Sequence, residues 1–204
     1  IIISELMDYE LPTIIAFIAG NDTICSNDNN MAEISVSFSG MSPFSFVYAI
    51  NGVPKNPETT HLNPYIIETQ EAGNYSLVSY SDANDFGIIS GQGLVTILNS
   101  PVANFHAFPD TLSILYTTVS LTDKSIPVDS LISWQWDFGD NLGTSSVPNT
   151  IYTYIHEELS GIKLYDVSLI VTDENSCSDT ASKIITVTDD HWVWIPSSFT
   201  PDKD

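Results

Sequence analysis

Residues 134–140 read Trp-Gln-Trp-Asp-Phe-Gly-Asp, and this stretch decides the fold of the second half of the chain. Its large rings recur at every second position, which in a β-strand places Trp134, Trp136 and Phe138 on the same face. Since each ring can bury about 150–250 Å², the pattern predicts a strand whose aromatic face covers a hydrophobic core. The alternative is that the tryptophan pair forms an exposed platform on which a sugar ring stacks.

The end of the stretch predicts a tight turn, because Gly139 can adopt a positive φ between two acids. Asp137 and Asp140 are expected to accept hydrogen bonds from backbone N–H groups of that turn. A second acid-rich turn follows at residues 173–179. Calcium takes about six to eight oxygen ligands. Because each turn gathers several side-chain oxygens, a calcium site is an alternative interpretation of both. Neither has the spacing of a known calcium loop, and solvated turn residues are the preferred interpretation.

Strand signals recur on both sides of this stretch, with almost no helical periodicity. Residues 32–39 alternate between apolar and polar side chains, and residues 44–50 run into Asn51-Gly52, a strong hairpin signal. A second series of strands begins after the break at residues 99–101. The sequence therefore predicts an all-β chain of two tandem antiparallel β-sandwiches. The expected divisions are a leader (1–19), a first sandwich (20–99), a second sandwich (100–188) and a tail (189–204).

A tyrosine corner is predicted in the first sandwich. Residues 71–77 read Glu-Ala-Gly-Asn-Tyr-Ser-Leu, which places Tyr75 at the start of a strand. In a tyrosine corner the phenol hydroxyl bonds back to a backbone group a few residues upstream. We therefore expect a structural role for Tyr75.

Three segments in order resemble the polycystic kidney disease (PKD) family. They are the strand at residues 119–125, the Trp134–Asp140 segment, and the strand at residues 165–173 that begins with Tyr165. Lys163 departs from the family pattern by replacing a glycine, and residues 155–162 lengthen a loop. The resemblance implies a PKD-like sandwich whose motif residues are structural: Trp134, Trp136, Asp137, Phe138, Gly139, Asp140 and Tyr165.

The tail resembles the start of another domain, the gliding-motility-associated C-terminal domain, which is the type B sorting domain of type IX secretion cargo. The matching positions are Ile195, Pro196, Phe199, Thr200, Pro201 and Asp204. The first sandwich resembles the Ig-like repeats of the same adhesins. The implied order is therefore an Ig-like repeat, a PKD-like repeat, and the entrance to a sorting domain.

Together these resemblances imply a non-catalytic segment, a stalk or an adhesive repeat, of a very large secreted adhesin of the gliding type. They imply an extracellular location at the cell surface, attached to the outer membrane. The implied partners are neighbouring repeats, the type IX secretion and anchoring proteins, and surface glycans. Two alternatives stay open: an accessory binding module of a secreted hydrolase, and a calcium-dependent glycan-binding module.

Composition excludes several other functions. The chain has 26 Asp and Glu against 5 Lys and Arg, a net charge of −21, which denies nucleic acid the cationic surface it requires. The longest wholly apolar run, residues 14–19, is far shorter than the ~20 residues of a membrane-spanning helix, so no membrane insertion is expected. No nucleophilic elbow or phosphate loop is present. We therefore predict no enzymatic activity and no cofactor.

The cysteines and four Ser or Thr residues are candidates for covalent modification. Cys25 and Cys177 fall in different predicted sandwiches, so we expect buried thiols rather than a bridge between them. Four segments match the Asp-Ser/Thr-apolar pattern that is associated with O-glycosylation in bacteria with type IX secretion. Their hydroxyl residues are Thr23, Thr111, Ser130 and Thr180.

Overall fold

The computed structural model describes residues 13–27, 29–155 and 161–189. The chain divides into two compact units, residues 1–99 and residues 100–204. The regular structure of both units is β-strand, and the one helical element among the described residues is a 3₁₀ turn at Val128–Ser130. The predicted all-β fold class is confirmed.

The first unit is a single eight-stranded sheet that encloses one core. Along the sheet the order is β4-β3-β7-β8-β1-β2-β6, with β5 paired to β3. Its buried side chains come from both ends of that order, for example Val36 of β2 and Phe46 of β3, so the sheet folds over on itself like a sandwich. The strands are β1 (Ile15–Cys25), β2 (Ala32–Phe38), β3 (Phe44–Ile50), β4 (Val53–Pro54), β5 (Glu58–Thr60), β6 (Tyr65–Thr69), β7 (Gly73–Ser81) and β8 (Ile88–Leu98).

The alternation at residues 32–39 and the hairpin signal at Asn51-Gly52 correspond to a strand and a turn of this unit. Ile34 and Val36 are fully buried in β2, whereas Glu33 and Ser37, which flank this pair, are exposed. Asn51 and Gly52 both have positive φ, 51° and 79°, and connect β3 to β4. The alternation and the hairpin signal therefore identified these elements correctly.

Two features of the first unit correct the sequence-based expectations. Residues 15–19, assigned above to a leader, form the first part of β1, so the boundary at residue 19 is too late. β1 also runs parallel to β8 over its whole length, from Ile15 beside Ile88 to Cys25 beside Leu98. Antiparallel neighbours follow from short hairpins, but β1 and β8 lie at opposite ends of the unit, and no tight turn fixes their direction.

The second unit is a sandwich of two sheets. One has the order β10-β16-β15-β12-β13 and the other the order β14-β11-β9. The short β10 pairs parallel to β16, a second departure from a purely antiparallel fold, and again the two strands are distant in sequence. The strands are β9 (Phe105–Phe108), β10 (Thr111–Ser113), β11 (Thr118–Asp123), β12 (Leu131–Asp137), β13 (Thr144–Ser145), β14 (Asn149–Thr153), β15 (Lys163–Asp173) and β16 (Ser178–Thr188).

Candidate functional site

Strand β12 carries the two tryptophans of the Trp134–Asp140 segment. Trp136 is only 2% exposed, and its ring makes an edge-to-face contact with Phe105, with centroids 5.0 Å apart. Its indole Nε1 donates a hydrogen bond to the Val147 carbonyl at 2.9 Å. An exposed sugar-stacking role for Trp136 is therefore wrong, because the ring belongs to the core.

Trp134 lies on the same face of β12 but nearer the rim of the sandwich. It is half-buried and packs against the core. Its Nε1 donates to the Asp123 carboxylate at 2.8 Å, and Asp123 also accepts the backbone N–H of Ser125 at 2.9 Å. This bond joins the end of β11 to β12, so two of the motif segments meet through their side chains.

The turn after β12 depends on a glycine. The carboxylate of Asp137 accepts the backbone N–H of Gly139 at 2.8 Å. Gly139 has φ +77°, and a Cβ there would lie 2.6 Å from the carbonyl oxygen of Asp166. Both the backbone conformation and the close approach of β15 exclude a larger residue.

Asp140 organises the loop that follows. One oxygen of its carboxylate accepts the backbone N–H groups of Leu142 and Gly143 at 2.9 and 3.0 Å, and the other accepts the Tyr152 hydroxyl at 2.5 Å. Burial raises the pKa of Asp140, but the bonds from Tyr152 and the two backbone groups outweigh it and hold the pKa below its ordinary value. Burial, followed by the bond to Asp140, raises the pKa of Tyr152 to about 12.

A cluster of stacked rings completes the site. Phe138 stacks on Tyr152 at 3.9 Å, and Tyr154 stacks on Tyr165 at 4.1 Å. The buried Tyr154 hydroxyl donates to the Phe138 carbonyl at 2.9 Å. Tyr152 and Tyr154 are not among the residues predicted from the sequence, although their spacing of two residues matches that of the tryptophans.

Four of the acids that suggested a calcium site, Asp137, Asp140, Asp173 and Asp179, accept hydrogen bonds from backbone N–H groups. Asp173 is buried, and one of its oxygens accepts the N–H groups of Asn175 and Cys177, both at 2.9 Å. Asp179 accepts the N–H of Ala103 at 2.7 Å. Within the described ranges, no group of three or more His, Cys, Asp or Glu side chains is arranged to hold a metal ion.

An open groove of about 570 Å³ lies beside the segment. Gln135, Asp137, Thr144 and Ser168 are among its lining residues. The described histidines, His61 and His106, do not line it. The groove therefore presents hydroxyl, amide and carboxylate groups without an imidazole base beside them.

Tyr75 forms the predicted corner in the first unit. It is fully buried, its hydroxyl donates to the Glu71 carbonyl at 2.7 Å, and the same hydroxyl lies 2.8 Å from the Thr69 hydroxyl. Neither Cys25 nor Cys177 is a buried thiol as expected, because both are disulfide-bonded.

The remaining sequence-predicted residues fall into two groups. Thr23, Thr111 and Thr180 are exposed, whereas Ser130 is half-buried in the 3₁₀ turn. Ile195, Pro196, Phe199, Thr200, Pro201 and Asp204 lie outside the described residues. Among the helices of the described ranges, none is long and apolar enough to cross a membrane.

Comparison with known proteins identifies the class of the second unit. Residues 99–188 match the PKD domain family, so the resemblance seen in the three motif segments is confirmed and this part of the chain is recognised as a PKD domain.

The relatives with this domain include the pre-pro-metalloprotease PrtV of Vibrio cholerae. It is 30% identical over 112 residues, which cover 54% of this chain and 11% of PrtV. The chain thus spans about a ninth of the curated relative that it matches.

Two solved structures are also similar. The PKD1 domain of Vibrio anguillarum Epp is 32% identical and covers 45% of this chain and 96% of its own, with a TM-score of 0.36. The second is a structure that concerns the promiscuous specificity of carbohydrate-binding modules from the β-sandwich superfamily, and it is 33% identical. It covers 44% of this chain and 35% of its own, with a TM-score of 0.36.

Proposed function

We propose that the chain is a non-catalytic repeat segment of a large secreted cell-surface adhesin that is exported by type IX secretion and serves in gliding motility. The observation that carries this proposal is the direction of the hydrogen bonds in the Trp134–Asp140 segment. Trp134, Trp136, Asp137 and Asp140 all use their polar atoms on groups of the same unit. Such bonds stiffen a module, and they engage both indole N–H groups and the Asp140 carboxylate of the motif in structural contacts.

The charge of the chain supports a stalk role. A net charge of −21 keeps a protein soluble and suppresses non-specific association. Repeated modules of this kind act as spacers between the cell and whatever the far end of the protein binds. Neighbouring repeats of the same chain are the first partners in this proposal.

An extracellular location is supported by the cysteines. Both Cys25 and Cys177 are disulfide-bonded, and disulfides form and persist in oxidising compartments such as the cell exterior. Residues 195–204 resemble the start of a sorting domain. In this proposal, that domain attaches the protein to the outer membrane and contacts the secretion and anchoring proteins.

Surface localisation in the native host tests the proposal. Protease added to intact cells is expected to digest the protein in the parent strain, but not in a strain that lacks type IX secretion. Equal digestion in both strains would contradict type IX export. Purified 1–204 is also expected to turn over no glycan or peptide, and turnover that a single substitution abolishes would overturn the non-catalytic assignment.

A second candidate function is an accessory module of a secreted hydrolase. The similarity to the metalloprotease PrtV favours it. The domain architecture of the full-length protein discriminates between the two: further Ig-like and PKD-like repeats support the adhesin, and a catalytic domain supports the hydrolase.

We also propose that at least two of the four Asp-Ser/Thr-apolar segments carry O-linked sugars. Thr23, Thr111 and Thr180 are exposed, so a sugar there would project into solvent without disturbing the core. Intact-mass analysis of protein from the native host is expected to show sugar-sized increments. At least two of the single variants that replace the hydroxyl residue of a segment with alanine should lose one increment each, and a mass equal to the bare polypeptide would defeat the proposal.

A further inference from the structure

Three loops at one end of the first unit carry large apolar side chains that are exposed to solvent. Met41 and Leu62 are each 65% exposed, and Phe86 is 91% exposed. A single exposed apolar residue is ordinary on a protein surface, whereas a group of them on adjoining loops is a feature of interaction surfaces. We call Met41, Leu62 and Phe86 the apolar rim.

Met41 and Phe86 belong to two loops that are bonded to each other. The backbone N–H of Met41 donates to the Asp82 carboxylate at 2.8 Å, and its carbonyl oxygen accepts the N–H of Ala83 at 2.9 Å. Asp82 and Ala83 lie in the turn that Phe86 ends, because Ser81 and Phe86 form a β-bridge. These bonds hold Met41 next to the turn that carries Phe86.

Leu62 lies on a third loop, which is bonded to the loop of Met41. The hydroxyl of Ser42, one residue after Met41, lies 2.6 Å from Nδ1 of His61, one residue before Leu62. This contact brings the neighbouring side chains of Met41 and Leu62 to the same end of the unit. The apolar rim is therefore built on three loops that are joined by hydrogen bonds.

The chain enters the first unit between these loops. Ile14 packs against the core. A Cβ added to Gly40 would lie 3.1 Å from the Ile14 side chain, and a Cβ added to Gly87 would lie 2.8 Å from the Ile14 carbonyl oxygen. Gly40 precedes Met41 and Gly87 follows Phe86, so Ile14 lies between their two loops. The segment that precedes Ile14 therefore starts beside the apolar rim.

The sequence of that segment suits an apolar surface. Residues 1–12 lie outside the described residues, and they read Ile-Ile-Ile-Ser-Glu-Leu-Met-Asp-Tyr-Glu-Leu-Pro. Large apolar residues stand at every second position from Met7 to Leu11, and the two positions between them are acids. In an extended chain the apolar set and the acidic set would fall on opposite sides. One side would then fit the rim while the other met solvent.

We propose that the apolar rim is the docking surface for residues 7–11 of the same chain. Residues 7–13 span at most about 25 Å when extended, whereas the two layers of a sandwich lie about 10 Å apart, so the segment can cross this end of the unit. Its attachment beside the rim gives it a high effective concentration there. Docking removes apolar surface of both the rim and the segment from water.

Charge favours this occupant over a second copy of the protein. Two chains that each carry a net charge of −21 repel one another. The attached segment adds no such intermolecular repulsion, and its acids stay in solvent. The inference goes beyond the repeat-segment role, because it assigns an occupant to one surface of the first unit.

Oxidation by hydrogen peroxide, followed by peptide mass spectrometry, tests the proposal, because exposed methionine sulfur is converted to the sulfoxide. The full 204-residue chain is compared with a variant that lacks residues 1–11. Met41 is expected to be oxidised about threefold or more faster in the deletion variant, since the docked segment shields it. Met31 is the matched control. It is 45% exposed and precedes β2, whereas Met41 follows β2 at the other end of the unit, so its rate should not change.

Two single variants separate docking from a general loss of stability. Tyr9→Ala shortens an apolar side chain of the docking side and should speed the oxidation of Met41, whereas Asp8→Ala changes the opposite side and should not. Equal oxidation of Met41 in the full chain and the deletion variant would overturn the proposal. Equal effects of the two single variants would also overturn it, as would faster oxidation of Met31 together with Met41.

Dilution distinguishes the attached segment from a second copy. Shielding by residues 7–11 is intramolecular, so Met41 of the full chain should be oxidised at the same rate at about 50 μM and at about 1 μM protein. Faster oxidation on dilution would show that a second copy covers the rim, and the proposal would fail. The repeat-segment proposal is independent of these results, since surface localisation and the absence of turnover test it separately.

Discussion

At the residue scale, the motif tryptophans differ in burial although they share a face of β12. Trp136 is enclosed by the core and bonds to the Val147 carbonyl, whereas Trp134 is half-buried at the rim. Because the two residues are of the same type, we expect their different burial to set how much each ring contributes to stability.

Trp136→Ala is expected to destabilise the second unit by about 3–5 kcal/mol, because truncating a buried aromatic ring loses apolar burial and leaves a cavity. Trp134→Ala is the matched comparison and should cost clearly less. Chemical denaturation followed by circular dichroism measures both. Equal costs for the two variants would contradict the burial argument.

The Asp140 carboxylate makes the stability of the second unit depend on pH. Its folded-state pKa is lowered, so its stabilisation is fully present above the unfolded pKa of about 3.9 and is lost as the pH falls through the folded value. The free energy of unfolding should therefore fall more steeply below about pH 4 in the unmodified chain than in Asp140→Asn.

Tryptophan fluorescence measures this effect in the second unit, because all four tryptophans lie beyond residue 100. Asp82→Asn is the control. The backbone N–H groups of Met41, Asn84 and Asp85 lower the pKa of Asp82 in the first unit, so its loss should leave the fluorescence-detected transition unchanged. Parallel pH profiles of Asp140→Asn and the unmodified chain would refute the assignment.

At the scale of elements, the turn between β12 and β13 is held by contacts from two directions. Asp137 and Asp140 bond to its backbone, and the backbone of β15 approaches Gly139 closely at Asp166. The turn is therefore fixed by its own residues and also by a strand nearly thirty positions later.

Gly139→Ala is expected to cost more stability than Gly52→Ala. The two glycines have nearly the same φ, +77° and +79°, so both substitutions incur the left-handed penalty of about 1–2 kcal/mol. Only at Gly139 would the added Cβ meet backbone atoms, those of Asp166; at Gly52 nothing lies within 4 Å. Thermal unfolding of the two variants checks this, and equal shifts in Tm would show that the close approach is unimportant.

At the scale of the whole molecule, charge is the dominant feature. With a net charge of −21, the folded chain carries strong self-repulsion, which destabilises compact states. Among the described residues, the ion pair with a defined geometry is Lys55–Glu71 at 2.7 Å, on the surface. Attraction therefore offsets little of the repulsion.

Added salt is expected to stabilise the protein. Raising NaCl from about 0.01 M to about 0.5 M shortens the Debye length from about 30 Å to a few ångströms and screens the repulsion between carboxylates. Scanning calorimetry should show Tm rising across this range. A falling or constant Tm would indicate that local ion pairs outweigh the net charge.

The sequence by itself determined the all-β class, the strands with clear alternation, the tyrosine corner and the PKD motif. These are local signals: side-chain period, turn residues and short spacings are fixed within a few neighbouring positions. Trp136, Asp137, Gly139 and Tyr75 took their roles from such signals, and the structure places each of them accordingly.

Only the tertiary structure decided which distant segments meet. The parallel pairing of β1 with β8, the start of β1 at Ile15, and the bond from Tyr152 to Asp140 join residues that no local pattern connects. The pairing of β9 with β11 likewise places His106 and Phe108 opposite Thr122 and Ser120. Pairing over long separations depends on how the whole chain closes its core. The free energy of that closure cannot be derived from any single segment.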